Sequence, residues 1–536
     1  MTHAHRSQAR IALPLERGAP FLRAGRQPQG MVIGTDPCFH SRHVRMATFE
    51  QEVGSVNRSR MFVNGEWVDA AGGEWTAVIN PATEDVVAEV PRAQAEDGER
   101  ALEAAAQAQR AWARLPAAAR AAYILRAADY VRRESEHLAR VIVAEQGKPI
   151  QQARGEVGFT AFLLSYAAEW ARRIEGDILP ADQAEETILI ERVPHGVVLA
   201  LTPWNYPSVV PARKIGLALV AGNTVVLKPH ELTPLSALEL ARAFEQADLP
   251  SGVFNVVTGI GEEVGASMVQ SPVVQYITMT GSVEAGRLIA AAAARNITPI
   301  SLELGGKAPF IVLEDADLDL AVRHAVSSRF TNCGQVCTCN ERTYVHTSVY
   351  DEFQARYLAA AQALAVGDPL DERTDMGPKV SKEELEKVDR MVSQARAAGA
   401  SVILGGEPLR GGRYERGFWY PPTILTDLRQ DMEIMQSEVF GPVSPLVRVG
   451  GFEEAVALAN DSQYGLSAYL FTNDFRRIMR AVQDVDFGEL YVNKSGPESF
   501  HAFHSGYRHS GIGGDDGRYG LEEYLRKKTV YLNYGG

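Results

Sequence analysis

The sequence predicts an α/β protein built on two parallel sheets, and three observations carry that prediction. Between residues 196 and 304, short β-branched runs at 197–201, 224–227, 253–257, 275–279 and 299–302 alternate with helical segments at 211–220, 234–247, 262–270 and 283–294. A second alternating set begins with a strand at 308–313 and a helix from Asp317. It continues through strands near 342–346, 401–404, 445–448, 467–471 and 489–492 and helices near 349–365, 382–398, 452–460 and 475–484. Strands joined by crossover helices form parallel sheets, which bind ligands at the carboxyl ends of their strands. The third observation is size: 536 residues with 46% hydrophobic and 23% charged content suit a globular chain of two or three domains.

The first sixty residues stand apart. They hold nine arginines and no lysine against four acids, a surplus of five, so the remainder carries −18 of the formal −13. Arginine with few acids resembles a transit peptide, but Pro14, Pro20, Gly18, Gly25 and Gly30 interrupt any long amphipathic helix, and no secretory apolar core is present. Such composition cannot bury enough surface to order itself, so residues 1–60 are expected to be a disordered extension or a misplaced start, with Met46 or Met61 as the true one. The acidic balance argues against nucleic acid or an acidic membrane as partner. No run approaches the roughly 18 apolar residues of a membrane span. Four cysteines, three of them crowded together, point to a reducing compartment, the cytoplasm.

From Met61 the chain reads as a strand and tight turn over 61–67 and a second turn at 79–83. Helices rich in Ala, Glu, Arg and Leu are expected at 94–112, 117–146 and 150–174, with Gly147 and Pro149 as breakers. Residues 178–194 read as a detached hairpin, and 529–534 as a lone strand with no sequence-local partner. Such a pair is a candidate for joining across a subunit interface. Two glycine-rich turns, Gly259 to Gly265 and Thr280 to Gly286, open helices at strand ends. Free N–H groups at a helix N-terminus favour phosphate, which suggests a nucleotide, although neither turn completes a dinucleotide fingerprint or a P-loop.

Cys333, Cys337 and Cys339 fall within seven residues. The spacing is not the paired Cys-x2-Cys of zinc sites, and no further ligands follow nearby, so no metal is expected. A structural disulfide needs an oxidising compartment and prefers distant partners, neither of which is suggested, so a catalytic thiolate and three small buried residues remain open on this segment alone.

Six motifs then fall in one order: Pro203-Trp204-Asn205-Tyr206-Pro207, Lys228-Pro229-His230-Glu231, Thr280-Gly281-Ser282, Leu302-Glu303-Leu304-Gly305-Gly306-Lys307, Gly334-Gln335-Val336-Cys337 and Glu438-Val439-Phe440-Gly441-Pro442. Together, from about Met61 to the end, they resemble the NAD(P)-dependent aldehyde dehydrogenase superfamily. Near the C-terminus, Tyr491-Val492-Asn493-Lys494, Glu498 and Phe503-His504-Ser505-Gly506 narrow the resemblance to bacterial lactaldehyde/glycolaldehyde dehydrogenases. The resemblance implies an aldehyde dehydrogenase-like fold: a Rossmann-type NAD-binding domain at 61–175 and 196–304 and an α/β catalytic domain at 305–490. It further implies a small β oligomerisation element at 176–195 and 526–536, and a substrate-pocket loop and return segment at 491–525.

By the same resemblance Cys337 is the nucleophile, Glu303 the general base, and Asn205 with the Cys337 backbone N–H the oxyanion donors. Cofactor contacts fall to Trp204, Lys228, Glu231, Gly261, Gly265, Gly281, Ser282, Glu438 and Phe440. Substrate contacts fall to Arg213, Thr338, Glu498 and His504. A carboxylate at Glu231 opposes a 2′-phosphate, so NAD is expected over NADP. Thr338 departs from the Asn of that subfamily, and one hydroxyl cannot replace both the donor and the acceptor of an amide. The expected activity is NAD-dependent oxidation of a small hydroxyaldehyde by a cytoplasmic homo-oligomer, a tetramer or dimer. A semialdehyde or aromatic aldehyde, or a non-catalytic binding protein on a retained fold, are the alternatives.

Overall fold

A computed structural model describes residues 57–535, and among these residues the strands form four sheets. The first has eight strands, in the order Gly511–Ile512, Ile300–Glu303, Tyr276–Thr280, Val197–Leu201, Thr224–Lys228, Phe254–Val256, Met61–Val63 and Glu66–Val68. Its five central strands are parallel, and the outermost strands add antiparallel at both edges. Val197–Leu201, the first of the five in sequence, lies in the middle, so the chain winds outward one way and then the other. That reversal opens a crevice at the carboxyl ends of Val197–Leu201 and Tyr276–Thr280.

The second sheet has seven strands, ordered Ser401–Leu404, Thr423–Thr426, Val443–Val449, Asn340–His346, Ala308–Val312, Ser467–Phe471 and Glu489–Val492, all parallel except the first. It meets the same crevice from the opposite side, because Cys337 lies just before Asn340 and Gly306 just before Ala308.

Local chemistry explains most element boundaries. At Asn64-Gly65 both residues take positive φ, 55° and 81°, as a two-residue hairpin turn requires. The helix Val209–Ala221 is buried at every residue, as befits a mostly apolar segment between the first sheet and the helix Ile150–Glu169. Its two cations, Arg213 and Lys214, therefore need partners inside the protein.

Three expectations are corrected and one is met. The helix expected over 117–146 is two, Ala117–Arg133 and Ser135–Gln146, parted at Glu134 with φ −95° and ψ 18°. The turn expected at 79–83 is present, joining Trp75–Ile79 to Val86–Pro91 as a hairpin. The terminal strand is not unpaired: Leu525–Asn533 runs antiparallel to Glu186–Pro194 along nine residues, with Asp177–Pro180 on the far side. Asn57 and Ser59, placed by composition in the extension, exchange backbone hydrogen bonds with Glu89 at 2.9 Å each. The rest of the expected extension, residues 1–56, lies outside the described residues.

Candidate active site

One cleft of about 1100 Å³ runs between the two large sheets, and every site residue named from the sequence lines it. The strand ends explain why. Asn205 follows Val197–Leu201, Lys228 ends Thr224–Lys228, Gly281 follows Tyr276–Thr280, and Glu303 ends Ile300–Glu303.

Cys337 is half-buried, whereas Cys333 and Cys339 are fully buried, and all three are free thiols. Burial pushes all three thiols up, Cys333 to about 11 and Cys339 to about 12. At Cys337 burial also dominates, but a hydrogen bond from His504 and that ring's charge oppose it. Cys339 Sγ donates to the Val336 carbonyl at 2.8 Å.

Glu303 is 2% exposed, and neither carboxyl oxygen has a hydrogen-bond partner. Burial pushes it up to about 8, with His504, 3.6 Å away, the largest opposing influence. Lys307, which could have paired with it, binds Glu341 instead at 2.7 Å. Glu303 therefore stands as an unpartnered carboxyl facing the cleft, able to take or give a proton near neutrality.

Asn205 is held from both sides. Its Nδ2 donates to the Gln335 carbonyl at 2.9 Å, and its own carbonyl accepts from Asn332 Nδ2 at 3.1 Å and Lys148 Nζ at 3.0 Å. Lys148 is buried against Glu156, whose other oxygen accepts from Ser208 N at 3.0 Å.

At the other end of the cleft, Lys228 Nζ lies 3.0 Å from Glu231 Oε2. A Cβ on Gly261 would stand 3.8 Å from Lys228 Nζ, and one on Gly265 3.9 Å from its Cδ, so side chains there would fill the trough beside that lysine. Ser282 caps the helix Val283–Ala293 by accepting from Ala285 N at 3.1 Å. Glu438 Oε1 accepts from Gly306 N at 2.7 Å, and burial pushes this carboxyl up to about 7. The neighbouring Gly305 leaves room for it, since a Cβ there would come within 2.5 Å of Glu438 Oε2. Trp204 and Phe440 meet edge to face, 5.2 Å apart. A lysine-floored trough, an open helix N-terminus and an aromatic pair fit a dinucleotide.

At the end expected to take substrate, Arg213 pairs with Glu498 and lies 3.2 Å from Asp516. Burial works against Glu498, but Arg213 and then His504 hold it down to about 2. Lys214 binds Asp515 Oδ2 and Thr278 Oγ1, both at 2.9 Å. His504 is buried with Nδ1 3.0 Å from Glu489 Oε1, while His501 is exposed. The Tyr469 hydroxyl donates to the carbonyl of Thr338.

Sequence reasoning passed over Lys148, Glu156, Lys214, Glu489 and Asp515. A signal existed for Glu489 alone: an acid opening the otherwise apolar run Leu490-Tyr491-Val492.

The aldehyde dehydrogenase family model matches residues 67–530. The chain is 47% identical to the 3,6-anhydro-alpha-L-galactose dehydrogenase of Vibrio sp. (strain EJY3) over 479 residues, 89% of this chain and 100% of that one. It is 40% identical to the D-glyceraldehyde dehydrogenase (NADP(+)) of Thermoplasma acidophilum, covering 89% and 97%. The crystal structure of lactaldehyde dehydrogenase from Escherichia coli aligns with a TM-score of 0.88 at 45% identity, over 89% of this chain and 100% of that one.

Proposed function

The chain belongs to the aldehyde dehydrogenase family, and on that premise we propose that it oxidises a small neutral hydroxyaldehyde, such as lactaldehyde or glycolaldehyde, to the acid with NAD. Cys337 Sγ attacks the carbonyl carbon, forming a C–S bond as the π pair moves to oxygen. The second N–H of Asn205 Nδ2 and the Cys337 backbone N–H stabilise that oxyanion. A dinucleotide would be held at Lys228, Glu231, Ser282 and Glu438, and would supply the acceptor for the hydride that leaves the thiohemiacetal carbon as its oxyanion collapses to a thioester. Glu303 then removes a proton from water, the water oxygen adds to the thioester, and the C–S bond breaks to free Cys337.

The single observation that carries this reading is the meeting of Cys337 and the unpartnered carboxyl of Glu303 at one buried histidine. A neutral substrate is favoured because Arg213, the cation at that end, is already engaged by Glu498 and Asp516 and offers no free charge to a second carboxylate. Glu498 and His504 supply polar partners for substrate hydroxyls. The short Thr338 leaves space beside Cys337, which also favours a larger neutral sugar aldehyde such as 3,6-anhydro-L-galactose, in line with the 47% relative.

Preference for NAD rests on the Glu231 carboxylate beside Lys228. Residues 61–175 with 196–304 form the cofactor half and 305–490 the catalytic half. Assembly as a dimer or tetramer through 176–195 and 526–536 is supported by exposed Ile178, Leu179, Tyr531 and Leu532 on the three-stranded sheet. A cytoplasmic setting is supported by the free thiols, and among the described residues no helix is long and apolar enough to cross a membrane.

The test is a panel of lactaldehyde, glycolaldehyde, 3,6-anhydro-L-galactose, succinic semialdehyde and benzaldehyde with NAD and NADP. The hydroxyaldehydes should show the highest kcat/KM, with NAD above NADP. Their ranking last would refute the substrate assignment, and NADH formation by Cys337→Ala would refute the nucleophile.

A further inference from the structure

We propose that Glu489 is a positioning residue that holds His504 doubly protonated against Cys337, making cysteine, imidazole and carboxylate one charge-coupled chain. Glu489 opens the strand Glu489–Val492 and is anchored on three sides. Its Oε1 lies 3.0 Å from His504 Nδ1, while its Oε2 accepts from the Tyr491 hydroxyl at 2.9 Å and Ser467 Oγ at 3.1 Å. Among the described residues its only ion-pair partner within 4 Å is His504.

The main chain at His504 is pinned on both sides. His504 N donates to the Asp515 carbonyl at 2.9 Å, and Asp515 N returns the bond at 2.8 Å. On its far side Nε2 lies 3.6 Å from Glu303 Oε2, and the Cys337 thiol is within hydrogen-bonding reach. A neutral imidazole donates from one nitrogen only; here both nitrogens face acceptors, a geometry that the doubly protonated, singly charged form satisfies.

The surroundings favour that form. Burial opposes the charge, but Glu489 and then Glu303 outweigh it and hold the ring well above the ordinary histidine range. Glu498, paired with Arg213, and Asp515, paired with Lys214, also act on that ring.

Activation is then loss of the thiol proton to solvent: the S–H pair stays on Sγ as thiolate, and the imidazolium beside it keeps both protons, Nδ1 against Glu489 and Nε2 toward the sulfur. The same cation faces the sulfur when the thioester later expels it. This inference rests on Cys337 being the nucleophile. It gives His504 a role at the reacting sulfur besides its contact with substrate.

The test is the pH profile of Cys337 alkylation by iodoacetamide, read by mass spectrometry of the Cys337 peptide, in the full-length protein and in its Glu489→Gln and His504→Gln variants. The profile of the unaltered protein should lie at lower pH than those of both variants, because the imidazolium opposes the upward push of burial on the thiol. Glu489→Gln keeps an acceptor for Nδ1 but removes the charge, so alkylation near pH 6.5 should fall at least about tenfold while the rate near pH 9.5 stays within about twofold. His504→Gln should shift the profile the same way, which keeps the test open if the first variant misfolds. A Glu489→Gln or His504→Gln profile that overlays the unaltered one overturns the proposal, even if turnover drops, because mere structural support would leave the profile unmoved. Turnover by Cys337→Ser would instead defeat the nucleophile assignment, so the two failures are distinct.

Discussion

Replacing Glu303 with Gln removes a proton acceptor while keeping shape and burial. With the carboxyl pushed up to about 8, roughly one-tenth is ionised at neutral pH. A general base typically contributes about 10²–10⁴-fold, so steady-state kcat should fall by about that factor. Thiohemiacetal formation and oxidation need no base at this position, so stopped-flow absorbance should still record a burst near one NADH per active site. In the unaltered enzyme the active form is the ionised one. Where deacylation limits turnover, kcat should rise about tenfold per pH unit below about pH 8 and level off above it. A pH-independent kcat between about pH 6 and 8, or a variant turning over within about threefold of the parent, would refute the assignment of Glu303 as base.

Other perturbations follow from the same geometry. Because the folded-state value of Glu303 is raised above its unfolded one, the neutral carboxyl is fully tolerated below about pH 4.5 and stability is lost as pH rises toward about 8. Glu303→Gln should therefore raise Tm more at pH 8 than at pH 5 in a thermal melt. Glu231→Gln should raise the NADP/NAD ratio of kcat/KM by at least about tenfold, since opposed like charges near 4 Å are worth several kcal/mol at an effective dielectric of about 20. Arg213→Met strands the carboxylates of Glu498 and Asp516 and should cost about 3–5 kcal/mol, with partial recovery of Tm when Glu498→Gln is added. Deleting residues 526–536 bares most of the Glu186–Pro194 edge, and light scattering should then report a smaller assembly.

The parallel strands were legible because, buried on both faces, they read as unbroken β-branched runs such as Val197–Leu201. The strand Thr423–Thr426 escaped notice because it is only four residues long and follows Pro421-Pro422. Glu134 parts two helices without glycine or proline to announce it. The terminal strand's partner lies more than 330 residues earlier, a pairing no local pattern encodes. At the site, residues embedded in motifs could be named, whereas Lys148 reaches Asn205 only through tertiary packing. Glu303 could be named, but its isolation from Lys307 depended on Glu341 capturing that lysine.

The return of the last strand to a hairpin near the first third of the chain has a consequence for synthesis. The nucleotide half and Cys337 leave the ribosome first, whereas Glu489, Glu498, His504, Asp515 and the strand Leu525–Asn533 all belong to the final fifty residues. A nascent chain thus exposes its thiol long before it owns the histidine and carboxylate beside that thiol. On the reading that His504 conditions the thiol, Cys337 gains its full reactivity only after the segment from Glu489 to Asp515 has packed beside it.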